Sequence, residues 1–361
     1  MSPGIGQDLE NVLQSGYVGQ GEKVNEFEEK LKSHIGTPFV NTVNSGTSGL
    51  TLALRLAKQS NRDEVITTPL TCTATNWAIL ANGLKIKWAD INPCDLNIDV
   101  QDIARKVTPK TLAIVVVHWG GYACDLRKLA ELQEICQRTY GFSPAIIEDC
   151  AHAWDAKYEN QNIGTHGNFS VFSFQAIKHL STADGGLLIS PDPLNHKRAT
   201  LLRWYGLDRT SSFDFRSEQN IQEWGYKFHM NDVNATIGLK NLESASQNVK
   251  IHKANAAYFN QELNDIDGLE LTQLETNRES SYWIYSILVE KRVDFCRKLE
   301  SAGIMTSMVH ARNDKHECIK ESTAILPGMD EVSKKLICIP CGWWVSPDDR
   351  EHIVKTIQSG W

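Results

Sequence analysis

The stretch AIIEDCAHAWDAKYENQNIGTHGNFSVFSFQAIK, residues 145–178, decides the fold. It opens on an apolar run that ends in two acids, Glu148 and Asp149, and closes on a second β-rich run, Ser170–Phe174, with Lys178 just beyond. Short runs that are apolar almost throughout suit strands buried on both faces of a sheet. Working outward, runs of the same kind recur at Phe39–Val43, Val65–Pro69, Ile86–Ile91, Leu112–His118 and Gly186–Ser190, with helical patterns between several of them. The seven runs predict an α/β architecture in which a mostly parallel seven-stranded sheet, covered on both faces, forms a large domain. Ligands of such sheets sit beyond the carboxyl ends of the strands, so the residues just after each run carry the chemistry.

Downstream, residues 231–265 contain no Pro and only Gly238 as an interior breaker, and Val233, Ile237 and Leu242 recur at helical intervals behind a cap at Asn231 or Asp232. A long helix is expected there. A strand at Tyr282–Val289, a helix at Arg292–Ala302 and a last helix at Asp348–Ile357 then describe a small C-terminal α+β domain. The division is placed at residues 1–240 and 241–361. No internal repeat or low-complexity segment interrupts this order.

At 361 residues the chain exceeds the size of a single core, so two lobes sharing a cleft are expected. Hydrophobic content of 41% and charged content of 22% are those of a globular protein, and no run approaches the ~18 apolar residues of a membrane span. A net charge of -7 and a pI near 5.9 argue against a nucleic-acid partner. The start, MSPGIGQDLENV, has no basic segment followed by an apolar one, and a cytoplasmic location is expected. Nine scattered cysteines read as reduced thiols, and Cys338–Cys341 lacks the second pair a zinc site needs, so no metal is expected.

An acid at a buried strand end is costly unless a cation pairs with it, and a protonated pyridine ring is such a cation. Asp149 could equally cap the turn that begins at Cys150, and Lys178 taken alone reads as a solvated lysine. Together they suit pyridoxal phosphate, with Asp149 on the ring nitrogen and Lys178 as the amine that carries the cofactor. Between Phe39–Val43 and the helical run Leu50–Leu56 lies Asn44-Ser45-Gly46-Thr47-Ser48-Gly49, small residues at a helix start. Such a segment makes a phosphate cradle or simply a capped helix.

Read in order, Gly19-Gln20-Gly21-Glu22-Lys23, SGTSGL (45–50), His118-Trp119-Gly120-Gly121, EDCAHAW (148–154), SFQAIKHLSTADGG (173–186), GYKFHMND (225–232) and Ile339-Pro340 resemble the DegT/StrS family of pyridoxal-phosphate-dependent sugar aminotransferases. The resemblance covers nearly the whole chain and implies the aspartate-aminotransferase fold, type I. It implies Gly46, Thr47, Ser48 and Ser173 on the cofactor phosphate, Asp149 on the ring nitrogen, His152 near the ring hydroxyl and Lys178 as the catalytic amine. It further implies a homodimer in which Lys227 reaches the phosphate of the neighbouring subunit. The family's stacking aromatic is missing from Pro69–Thr75, where Cys72 is the nearest candidate. Trp77 is a possible substitute, though a core role suits it better. His229 stands where arginine is common.

For the substrate, the basic loop Val309–His316 offers His310 and Arg312, and Arg203 is placed similarly, each with a plain polar or ion-paired role as the alternative. Trp343–Trp344 suits packing of the small domain or stacking on a base. The resemblance implies a ping-pong reaction. An amino-acid donor, glutamate, leaves pyridoxamine phosphate, which aminates a nucleotide-linked 4-keto-6-deoxy sugar for polysaccharide or lipopolysaccharide synthesis. Amination at a 3-keto position, a related sugar modification and a non-catalytic regulator are the alternatives.

Overall fold

In the computed structural model, which describes residues 2–59, 61–210 and 218–361, the seven runs form one sheet. Its strands are β1 (Val40–Val43), β2 (Glu64–Thr67), β3 (Lys85–Trp88), β4 (Thr111–Val117), β5 (Ala145–Asp149), β6 (Phe169–Ser173) and β7 (Gly186–Ile189). Their spatial order is β1-β7-β6-β5-β4-β2-β3. Only β7 runs against its neighbours; the pairs from β3 through to β6 are parallel. Val40, Ile66, Ile114, Ile146, Phe172 and Leu187 face one core, shared with Phe27 and Leu31 of the helix Glu22–Ile35. The residues between them, Val43, Val65, Val115, Ile147, Val171 and Leu188, face the other core, shared with Leu50 and Leu54 of the helix Gly46–Ala57. Each such side chain stabilises the fold by roughly 1.5–3 kcal/mol relative to exposure, which is why the runs carry so few polar residues.

The sequence reading did not anticipate the two N-terminal helices, Ile5–Ser15 and Glu22–Ile35. Val24, Phe27, Leu31 and Ile35 nevertheless follow the helical repeat and are buried. Both helices pack on the long helix Asp232–Glu262, whose first turn is capped by the Asn231 side chain accepting from the Asn234 amide at 2.9 Å. Gly238 allows the close approach: a Cβ there would stand 2.6 Å from Phe27 Cζ and 2.7 Å from Thr182 Cγ2.

The division placed after residue 240 falls inside this helix, which is continuous. Its Ala235, Leu239, Ala245 and Val249 belong to a large-lobe core. Ala256 and Phe259 belong to a third core, built with the antiparallel strands Leu269–Leu271, Tyr285–Val289 and Leu336–Ile339 and the helices Arg292–Ser301 and Pro347–Gln358. The small lobe is tied back to the large one where Asp90 accepts from the amides of Gly328 and Met329, both at 2.8 Å. Trp343 and Trp344 do not pack as expected, being 52% and 62% exposed. Cys338 and Cys341 are buried, and all nine cysteines are free thiols. Among the described residues no helix is long and apolar enough to cross a membrane.

Candidate active site

The parallel strands deliver the candidate residues to one edge of the sheet. Asp149 ends β5, Ser173 ends β6, Ser45 and Gly46 follow β1, and Cys72 follows β2 at the start of the helix Thr73–Ala81. Asp149 is buried. Its Oδ2 accepts from the Thr75 hydroxyl at 2.7 Å and its Oδ1 from the Ala151 amide at 3.1 Å. Burial pushes the carboxyl above its ordinary value against the pull of those two donors and of Lys178. The Ala151 amide thus shows the turn-capping role, and it leaves the buried carboxyl within the electrostatic reach of Lys178. Thr75 was not singled out from sequence, although the hydroxyl-rich Thr71–Thr75 was the available signal; Thr71 and Thr75 share a hydrogen bond at 2.8 Å.

Beneath Asp149, the adjacent Glu148 is fully buried and points to the other face. The His118 Nδ1 accepts from the Cys124 amide at 3.0 Å, so its Nε2 carries the proton and donates to Glu148 at 2.9 Å. Burial raises the Glu148 carboxyl, but the bonds from His118 and Asn168 more than offset it and hold it below its ordinary value. The pair fixes the ends of β4 and β5 together.

Lys178 sits past β6 among few polar partners. Burial lowers its amine to about 8, against the opposing pull of Asp149 and Cys72. His152 lies in a series of turns that follows Asp149, which brings it to the site. Its ring stacks on Trp283 at 4.0 Å and lies parallel to His310 at 5.8 Å, and its Nδ1 has no partner among the described residues. Burial and Lys178 hold His310 down to about 4. The motif Trp119-Gly120-Gly121 is explained by the segment that crosses it. A Cβ on Gly121 would stand 2.3 Å from Ser281 Oγ, and Ser281 Oγ itself donates to the His152 carbonyl at 2.9 Å.

A cofactor with a phosphate and a protonated ring fits these residues. The helix Gly46–Ala57 starts with the Ser48 amide capped by Ser45 Oγ at 3.1 Å, while the Gly46 and Thr47 amides have no acceptor within the helix. Gly46 lies against Ser173, whose Cβ would be 3.0 Å from a Cβ on the glycine. The cradle therefore has a helix end on one side and a hydroxyl on the other. Asp149 would offer such a group a buried acceptor for its ring, and Lys178 an amine.

The remaining candidates separate. The segment at Lys227–His229 lies along the sheet edge, where Val43 bridges His229 and Asn44 Nδ2 donates to the Lys227 carbonyl at 3.1 Å; the Lys227 side chain is exposed. His229 packs on Trp204 at 3.6 Å, and burial followed by Arg203 lowers it to about 4. Arg203 is 3% exposed and is held by Glu28 and the Thr42 carbonyl, so its guanidinium is engaged in a buried ion pair. Arg312 makes a two-pronged bond to Asp314, both contacts at 2.8 Å, and a further one to Asp330, which likewise leaves the expected diphosphate role without support. Trp77 lies edge-on to His316 at 5.6 Å within the second core and does not replace the missing stacking ring. A cleft of about 660 Å³ opens beside Lys178, lined by Ile177, Trp283, Ile304 and Trp344 among others, with no Lys or Arg in its described lining.

Comparison with known proteins gives concordant results. The profile of the DegT/DnrJ/EryC1/StrS aminotransferase family matches residues 3–358. The crystal structure of AtS13 from Actinomadura melliaura is 50% identical and superposes with a TM-score of 0.98, covering 100% of this chain and 96% of that one. The sugar aminotransferase CalS13 from Micromonospora echinospora is 44% identical, with a TM-score of 0.97 and coverage of 100% and 98%. A dTDP-4-amino-4,6-dideoxy-D-glucose transaminase from Shigella dysenteriae is 29% identical over 95% of this chain and 91% of its own length.

Proposed function

The chain belongs to the DegT/DnrJ/EryC1/StrS aminotransferase family and is a pyridoxal-phosphate-dependent sugar aminotransferase of fold type I; from that premise we propose that it moves an amino group from L-glutamate to the 4-keto carbon of a nucleotide-linked 4-keto-6-deoxy sugar. The observation that carries the catalytic reading is Lys178, a largely buried amine lowered to about 8 in the electrostatic reach of a buried Asp149. An amine at that value is partly neutral near neutrality, as a nucleophile and proton carrier must be. Support for the sugar and its 4-position comes from the activity named for the Shigella relative.

The cofactor, when bound, supplies an electron sink for the carbon that exchanges its amine. Asp149 would hold the ring nitrogen protonated, and Thr75 and the Ala151 amide orient that carboxylate and favour its charged form against the burial that raises it. The Gly46 and Thr47 amides, with Ser48 and Ser173, would bind the phosphate, and Cys72 would border the ring. His152 would meet the ring hydroxyl through a nitrogen that has no partner among the described residues. Lys178 would take the proton from the donor's carbon and return it to the sugar's. His310, next to Lys178, would contact the substrate. In a homodimer, Lys227 would extend from the sheet edge to the phosphate of the opposite subunit, with His229 lining the same junction.

The test is spectroscopic and then chemical. The visible band of the bound cofactor should disappear on adding L-glutamate and return on adding a dTDP-linked 4-keto-6-deoxy sugar, with the amine located at C4 of the product by NMR. Loss of the band with another amino acid alone would replace the donor; amination at C3 would replace the substrate; turnover by Lys178→Ala would overturn the catalytic assignment.

A further inference from the structure

Trp283 belongs to the small lobe, yet its contacts converge on the lysine of the large one. Its indole N–H donates to the carbonyl of Ile177, the residue before Lys178, at 2.9 Å. Its ring lies 3.5 Å from the Lys178 ammonium and stacks on His152 at 4.0 Å with planes 21° apart. The residue after the lysine is gripped from the same place. His179 meets the ring of His252 edge-on at 4.5 Å, and His252 Nδ1 donates to the Tyr282 carbonyl at 2.7 Å. Tyr282, directly before Trp283, holds a left-handed backbone, φ 49°, and its carbonyl is engaged by His252 while Trp283 lies on Lys178. Ser281 secures the segment, its amide on the Gly121 carbonyl at 3.1 Å and its hydroxyl on that of His152.

We infer that Trp283 is a positioning residue for Lys178: the indole N–H fixes the peptide that carries the lysine, and the π face holds the ammonium, so the C-terminal lobe sets the charge state of the amine. The other groups that bear on Lys178 are Asp149 and Cys72, which favour its charged form, and His152, His179 and His310, which burial keeps neutral. Against that background the ring is the neutral surface whose quadrupole favours the cation. The ring thus limits how far burial lowers the amine; the inference rests on the proposed function in taking Lys178 as the reactive amine, but its measurement needs neither cofactor nor substrate.

The experiment titrates Lys178 in the cofactor-free full-length chain, following the rate of trace acetylation of that lysine against pH by peptide-resolved mass spectrometry. Trp283→Leu keeps an apolar cover and removes the π face; the midpoint should fall by about half a unit to one and a half units. Trp283→Phe restores a π face and should return the midpoint to within about 0.3 units of wild type. If Trp283→Leu does not fold, Trp283→Met provides the same comparison. An unmoved midpoint in the aliphatic variant, or an equal shift in Trp283→Phe, overturns the inference. Failure of the transaminase reading would appear separately, as a cofactor band indifferent to every amino donor.

Discussion

Replacing Gly121 by alanine tests whether the crossing of Ser280–Ile284 over Trp119–Gly121 is what holds the site together. Gly121 has φ 97°, and an added Cβ would lie 2.3 Å from Ser281 Oγ, 2.7 Å from the His152 carbonyl oxygen and 3.1 Å from the Tyr282 amide. Two of those three atoms are backbone, so no side-chain rotation relieves the clash. Gly141, at φ 73°, is the control, because a Cβ there meets nothing within 4 Å. Both substitutions incur the left-handed penalty, about 1–2 kcal/mol. Only Gly121→Ala adds overpacking, about 1–3 kcal/mol. The difference should appear in urea unfolding of the cofactor-free chain as a lower midpoint for Gly121→Ala. Because Trp283 rides on the displaced segment, its affinity for pyridoxal phosphate should also fall, by about tenfold if ~1.4 kcal/mol of the strain is felt at Lys178. Equal losses of stability in the two variants, with unchanged cofactor affinity, would show that the crossing is loosely packed and the reasoning wrong.

Thr75→Val removes a hydroxyl from the Asp149 carboxylate and should weaken cofactor binding about ten- to a hundredfold, while Thr75→Ser should not; equilibrium dialysis measures both. Glu28→Gln, which strands the buried Arg203, should destabilise the protein by about 3–5 kcal/mol with little change in the KM for either substrate, whereas a substrate role for Arg203 would raise KM at constant stability. The Lys178 amine is lowered from 10.5 to about 8, so between these values the unfolded chain binds a proton that the folded chain does not. Measured against Lys178→Met, stability should therefore be flat below about 8 and rise with pH up to 10.5. Mixing Lys178→Ala with Lys227→Ala should generate hybrid dimers with one complete site, restoring activity toward about a quarter of wild type; no recovery would argue against the shared site.

Much of the large lobe was legible because β1–β7 are buried on both faces and so have to read as apolar runs. Asp149, His152, Ser173 and Lys178 follow such runs at strand ends, where their chemistry stands out. Glu22–Ile35 is harder to read because its apolar residues are spaced among charges, although Gly21 and the left-handed Gly36 frame it at both ends. What the sequence does not show is which ion pairs engage the candidate arginines. The partner of Arg203, Glu28, lies on another helix, and Arg312 is engaged both by the neighbouring Asp314 and by Asp330 on the helix Pro327–Lys335. Trp283 carried no local mark at all: its meaning depends on Ile177 and Lys178, which only the docking of the lobes brings beside it. A lobe boundary is hard to read for a related reason, since a helix that serves two cores has no seam in its sequence.

That helix, Asp232–Glu262, is 31 residues long, about 46 Å of rigid rod. It starts beside the Lys227–His229 edge and ends beneath the small sheet, so the two lobes are geared to one shaft. One residue inserted near its middle would advance everything beyond by about 1.5 Å and turn it by about 100°. Tyr282 and Trp283 would then arrive out of phase with Lys178, although no residue of the site had been altered. The count of residues along the shaft is thus part of the site's chemistry.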